Sequence, residues 1–235
     1  MKGNLYLIPA GLGEQADSGA LPANLPQVIG KIRYFIVEDI RSARRFLKKA
    51  VPAIIIDDLT FLVLNEHTRL NDQPDLLAPL HSGYDTALLS EAGMPCIADP
   101  GATLVSLAHE AGIRIIPLAG PSSLLLALAA SGFNGQRFAF AGYLPIDGRE
   151  RIQKIKSLEN DAYQKDQTQI FIEAPYRNNK MLKALLENCQ PATRLCVAAN
   201  LTLPGEFIIS RTIDHWNRRP WPDIHKKPAV FLLYI

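Results

Sequence analysis

Glu38 and Asp39 stand side by side where an apolar run, Ile32–Val37, ends. Adjacent carboxylates at a strand end can bind a ribose hydroxyl, take a proton, or cap the helix that follows. Upstream, Gly11-x-Gly13-x-x-Ala16 matches the dinucleotide fingerprint, whose glycines let the backbone approach a pyrophosphate. That reading needs a helix directly after the glycines, because the helix N-terminus holds the phosphates. The residues that follow, DSGALPANLP, contain Pro22 and Pro26, so a helix can start only near Asn24. The spacing therefore argues against a nicotinamide enzyme.

The densest loop chemistry lies in Ser90–Pro121. Ser90-Glu91-Ala92-Gly93-Met94-Pro95 and Ala119-Gly120-Pro121-Ser122-Ser123 are two glycine- and proline-rich loops of the same design, each following an apolar run. Small residues admit a ligand to the backbone, and unpaired N–H groups can meet its oxygens. Between them, Asp99-Pro100-Gly101 has turn composition: proline fixes φ, glycine permits positive φ, and aspartate can accept from following N–H groups. Two such loops predict one small ligand gripped from two sides.

The elements that must carry these loops are legible from apolar runs. Leu5–Ile8, Ile32–Val37, Ile54–Ile56, Phe61–Leu64, Thr86–Leu89 and Ile113–Leu118 are strand candidates. Arg41–Ala50, Pro74–His81, Leu104–Ala111 and the stretch through Ala130 have helical patterning, with Gly112 as a C-terminal cap. This β/α alternation predicts a mainly parallel sheet. After about Pro145 the pattern changes. A polar helix over Arg149–Leu158 and a second over Asn179–Asn188 mix with strand candidates Gln169–Glu173, Leu195–Ala199, Glu206–Ser210 and Val230–Tyr234, which predicts a mixed sheet. Two α/β domains, 1–119 and 120–235, are expected.

Composition bounds the rest. A formal net charge of +2 neither demands nor excludes a nucleic-acid partner. Cys96, Cys189 and Cys196 lack CxxC spacing and read as reduced thiols. The histidines 67, 81, 109, 215 and 225 are scattered, so no metal site is expected. The apolar run before Pro9 is too short for a secretory leader, and Leu124–Ala130 is far too short to span a membrane. A cytoplasmic protein without membrane contact is expected.

The motifs, taken in order, resemble a known family. LYLIPAGLG, VEDIR (Val37–Arg41), SEAGMPCIADPG (Ser90–Gly101), AGIRIIPLAGPSS (Ala111–Ser123), the linker FAFAGYLP (Phe138–Pro145) and FIEAPYR (Phe171–Arg177) are similar to the tetrapyrrole methylase superfamily, the class III S-adenosylmethionine-dependent methyltransferases. Within it, the set looks most like the ribosomal RNA small subunit methyltransferase I family. Departures are visible: Gly13-Glu14 replaces Asn-Leu, Glu91 replaces an aspartate, Met94 replaces a threonine, and Ala199-Asn200-Leu201 lacks that family's Arg-Glu pair.

The resemblance implies two α/β domains with S-adenosyl-L-methionine in the cleft between them, and a homodimer. It assigns the cofactor to Leu12, to Ser90, Ala92 and Gly93, and to Ile97, Ala98, Asp99, Pro100 and Ala102. It adds Ser122 and Ser123, then Phe171, Ile172 and Glu173, then Asn200 and Leu201, and finally Pro228 and Ala229. The implied reaction is 2′-O-methylation of ribosomal RNA of the small subunit. Asp39, then Glu38, is the candidate for assisting loss of the hydroxyl proton, with capping as the competing role. Arg41, Arg44, Arg45, Lys48 and Lys49 are either an RNA-facing stripe or a solvated face. Glu173 with Arg177 is either acceptor lining or an ion pair. Another acceptor, such as a tetrapyrrole carbon, or a non-catalytic cofactor-binding protein, are the alternatives.

Overall fold

The computed structural model describes residues 1–13, 20–65, 68 and 70–235. Ala16 of the glycine fingerprint and His67 lie outside the described residues. The chain divides into two compact units, Met1–Ser122 and Ser123–Ile235.

The first unit is a five-stranded, all-parallel sheet of β1 (Leu5–Ile8), β2 (Tyr34–Val37), β3 (Thr60–Val63), β4 (Thr86–Leu89) and β5 (Ile115–Pro117), in the order β3-β2-β4-β1-β5. Both faces are covered, which is why β4 is fully buried, with Thr86 its one polar residue beside Ala87, Leu88 and Leu89. On one face α1 (Leu25–Ile29) and α2 (Ile40–Ala50) pack Leu25, Ile29, Ala43 and Leu47 against Ile8, Phe35 and Leu89. On the other, α3 (Ala78–His81) and α4 (Ala102–Glu110) pack Leu80, Leu104 and Ala108 against Leu5, Ile36 and Leu88. Helix α4 ends in a Schellman arrangement: Gly112 N–H donates to His109 O and Ile113 N–H to Ala108 O, with Gly112 at φ +62°.

The second unit is a mixed sheet. It comprises β6 (Phe138–Tyr143), β7 (Thr168–Ile172), β8 (Arg194–Ala199), β9 (Phe207–Thr212) and β10 (Ala229–Tyr234), in the order β6-β7-β10-β8-β9. Only β6 and β7 run parallel. Helices α6 (Gly148–Lys165) and α7 (Asn178–Asn188) bury Ile155, Leu158, Met181 and Leu185 against Phe171, Val197 and Phe231. Helix α5 (Ser123–Ser131) packs on β8, β9 and β10, and α8 (Ile213–Asn217) seats Trp216, whose Nε1 donates to Leu195 O at 3.0 Å.

Four expected elements differ. Ile54–Ile56 is not a strand: Ile54 closes a turn on Val51, and Ile56–Asp58 is a 3-10 turn, as the following Asp57-Asp58 pair favours. Pro74–His81 is helical only from Ala78. Pro74 lacks the N–H an α-helix needs, and Leu70–Leu77 takes the tighter 3-10 form. FAFAGYLP, read as a linker, supplies a whole edge strand. Helix α6 runs a further seven residues past Leu158 to Lys165, steadied by an Asp161–Lys165 pair and stopped by left-handed Asp166.

Candidate functional site

In the first unit the loops leaving β1, β4 and β5 are fastened together by backbone. Ala10 and Gly93 exchange both hydrogen bonds, at 2.9 and 3.2 Å. Ser90 is buried and its Oγ donates to Gly93 O at 2.8 Å, closing the turn between them. Glycine is required here by space as well as by φ. A Cβ on Gly93, at φ +74°, would lie 3.3 Å from Leu12 Cδ2 and 3.4 Å from Pro121 O. A Cβ on Gly120 would lie 2.2 Å from Pro9 Cβ. Leu12, Ser90, Gly93 and the loop leading to Ser122 are thus neighbours, as a single ligand cradle requires.

The Met94–Gly101 segment is strained. Cys96 and Ala98 sit at φ +66° and +63°, and Gly101 at φ +129°. A non-glycine residue in the left-handed region costs of order 1–3 kcal/mol and persists only where its surroundings demand it. Such strain clusters at ligand sites. Ile97 is half exposed and Ala98 exposed, so this loop presents apolar surface and backbone to solvent at the N-terminus of α4. Asp99 lies beneath, with a buried Oδ2 that has no hydrogen-bond partner. Burial, reinforced by the charge of Glu91, pushes its carboxyl up to about 6.

The two adjacent acids separate into different environments. Asp39 is exposed and is the N-cap of α2, its Oδ1 accepting from Ser42 N at 2.8 Å. That bond holds its carboxyl below the usual range. Glu38 is half-buried. Burial first, then the charges of Asp99 and Glu91, push its carboxyl up to about 7. Ser42 Oγ donates to Glu91 Oε1 at 2.7 Å, tying α2 to the β4 loop. A pocket of about 20 Å³ opens among Val37, Glu38, Ser42, Phe46, Ser90 and Glu91. A carboxyl titrating near neutrality beside a strained, glycine-lined loop can exchange a proton at physiological pH.

The second unit gathers its own set at one end of β7, β8 and β10. The register places Val230 opposite Ile172 and Ala229 opposite Ala199. Asn200 N–H donates to Pro228 O at 2.9 Å, Lys226 N–H to Pro175 O at 2.9 Å, and Asn178 Nδ2 to Lys227 O at 2.6 Å. Asn200, Thr202 and Lys226 have positive φ. Phe171 to Glu173, Asn200, Leu201, Pro228 and Ala229 are therefore brought together. Glu173 is buried and committed: its Oε1 accepts from Ala174 N and from Arg177, with a closest approach of 2.6 Å. Of the two readings of that pair, the ion pair is the one observed.

The arrangement matches a known family. The profile of the Tetrapyrrole (Corrin/Porphyrin) Methylases fits residues 4–216. The chain belongs to this family. A protein of Escherichia coli O157:H7 named Ribosomal RNA small subunit methyltransferase I is 30% identical over 207 residues, which cover 88% of this chain and 68% of that protein. A protein of the same name from Xylella fastidiosa (strain Temecula1 / ATCC 700964) is 29% identical over 233 residues, covering 99% and 81%. Among solved structures, the methyltransferase CobJ aligns with a TM-score of 0.66 at 18% identity, covering 99% of this chain and 94% of CobJ. At that identity the match speaks for the fold alone. This tetrapyrrole methylase is, by family, a methyltransferase.

Several features of the site residues of this methylase carry no signal in the sequence. Ser42 and Glu91 matter through a contact that is 49 residues long in sequence. Asn178 is fully buried with an unpartnered Oδ1, and Cys96 and Ala98 adopt a conformation typical of glycine. Arg44 pairs with Asp57 at 3.1 Å and Lys48 donates to Ile54 O, so part of the α2 stripe is engaged within the protein.

Proposed function

We propose that the protein transfers a methyl group from S-adenosylmethionine to a ribose 2′-hydroxyl of small-subunit ribosomal RNA. The observation that carries this reading is the loop set at the ends of β1, β4 and β5, with Glu38 beside it. The cradle fits such a cofactor: Gly93 has positive φ, a Cβ on Gly120 would collide with Pro9, and the Asp99 Oδ2 is buried with no partner. Leu12, Ser90, Ala92, Gly93, Ile97 to Asp99, Ala102, Ser122 and Ser123 would hold it. The turns at Asn200 and Pro228, joined by a backbone hydrogen bond, would add the second unit's residues.

The cofactor supplies a sulfonium-activated methyl, transferred by in-line displacement. The chain's contribution is position and proton transfer. With the cofactor bound, Glu38 would accept the proton that a 2′-hydroxyl must lose as its oxygen takes the methyl group. Asp39 holds the start of α2 and so orients its neighbour. The RNA acceptor rests on the relatives named above, which act on small-subunit ribosomal RNA by name.

The first test is calorimetric titration with S-adenosylhomocysteine, with NAD as control, followed by methyl transfer from labelled cofactor to unmethylated small ribosomal subunits. One-site binding to the former alone, and labelled ribose in the RNA, are expected. Binding to NAD alone would overturn the cofactor. Label entering a porphyrinogen instead of RNA would overturn the acceptor.

A further inference from the structure

Strand β6 carries an aromatic stripe that the fold does not use. The ladder sets Phe138 opposite Thr168, Phe140 opposite Ile170 and Tyr143 opposite Ile172. In an unbroken strand Tyr143 would face away from Phe138 and Phe140, because side chains alternate. The register shifts by one residue between Phe140 and Tyr143, where Gly142 takes φ +69°. This bulge turns the third ring onto the face of the first two. The other face, through Ala141, packs on the core. The rings are not buried: Phe138 is 41%, Phe140 36% and Tyr143 59% exposed.

Along β7 the three partners lie two residues apart, so the rings follow one another at about 6.6 Å. That is about twice the 3.4 Å rise of a stacked strand, which suits splayed bases and not a duplex. Cations flank both ends. Arg137 precedes the strand. Arg149 and Arg151 begin α6, and Arg151 Nη1 donates to Ile146 O at 3.2 Å, placing it by the loop after Tyr143. Arg137 and Arg149 have no ion-pair partner among the described residues, and Asp147 is committed to capping α6.

We propose that this stripe stacks bases of a single-stranded segment of the RNA acceptor while Arg137, Arg149 and Arg151 neutralise its phosphates. The inference rests on the RNA reading above and adds a docking surface to it. Charge favours RNA over a second copy of the chain. A two-fold contact would bring the arginines at the ends of one stripe against those of the other.

The test is fluorescence anisotropy with a labelled single-stranded oligoribonucleotide and with its duplex, alongside light-scattering mass and S-adenosylhomocysteine titration. Phe138→Ala, Phe140→Ala and Tyr143→Ala should each weaken single-strand binding by about 5- to 100-fold. Tyr143→Phe should restore it, and Phe140→Leu, apolar without a π-face, should not. Arg137→Gln with Arg149→Gln should flatten the salt slope by about 0.7 per charge, which the ring variants leave alone. Cofactor-product affinity should stay constant throughout. Ring variants that bind RNA like the parent overturn the proposal; a falling solution mass in those variants would show a contact between copies instead. A parent that binds the cofactor product but no RNA overturns both this surface and the RNA acceptor. A parent that binds RNA but no product leaves the surface standing and removes the cofactor.

Discussion

Neighbouring carboxylates need not share a task. Asp39 has its bonds in place and titrates low, whereas Glu38 is held half-buried near two other acids and titrates at about 7. Replacing Glu38 by Gln should slow methyl transfer by about 100-fold or more and spare product affinity. In the parent, turnover should rise as Glu38 ionises and level off above about pH 7. Stability should respond with the opposite sign. A carboxyl raised in the fold binds more protons there than when unfolded, so ionisation between its ordinary value of 4.5 and about 7 costs stability as pH rises. Thermal melts of Glu38→Gln against the parent should therefore diverge in the variant's favour at pH 8 and converge at pH 4. A variant that loses both stability and product affinity would remove Glu38 from proton transfer and make it structural. Asp39→Ala should lower the denaturation midpoint through the lost cap, with Asp39→Asn recovering most of the loss in a denaturant titration.

At the scale of elements, the site depends on where loops are pinned, and two glycines separate the causes. Gly120 stands against Pro9, and a methyl group there would force the β1 and β5 loops apart. Gly120→Ala should cost about 1–3 kcal/mol by overpacking and weaken product binding in calorimetry. Gly112 has positive φ but open space around it. Gly112→Ala should cost about 1 kcal/mol through the left-handed backbone alone and leave binding unchanged. Equal binding losses in both would mean that general destabilisation is responsible. The same elements show what a sequence can and cannot announce. Apolar runs closed by glycine and proline mark β1, β4 and β5; of the three, β4 alone is buried throughout, and β5 is partly exposed. In β6 the Phe-Ala-Phe-Ala alternation is a strand signal that the following glycine masks, because it breaks the period at what proves to be a bulge. The loops could be recognised by composition. The strain at Cys96 and Ala98 could not, because nothing local favours positive φ for those residues. Nor could the fate of Glu38, which faces the charges of Asp99 and Glu91 from more than fifty positions away.

Across the whole molecule, 25 basic against 23 acidic side chains leave no strong overall field. Attraction to a polyanion must then come from local groupings of cations that are not already spent. The basic face of α2 is dense in sequence but partly committed: Arg44 meets Asp57, and Lys48 meets the Ile54 carbonyl. The cations around β6 are fewer, but Arg137 and Arg149 have no ion-pair partner among the described residues. Counterion release counts only charges that reach phosphate, at about 0.7 in logarithmic slope per charge on a single strand. Arg44→Gln should therefore change the salt slope of RNA binding by less than that amount. Removing both Arg137 and Arg149 should change it by about 1.4, although both substitutions subtract arginine charge from a nearly neutral protein. Anisotropy titrations over a range of potassium chloride concentrations would measure the slopes directly. If Arg44→Gln flattens the slope as much as an Arg137 substitution does, its pair with Asp57 opens on binding and α2 shares the phosphate contacts. If neither moves it, the affinity comes from stacked bases rather than backbone, and sequence preference should be modest because every base has a π-face.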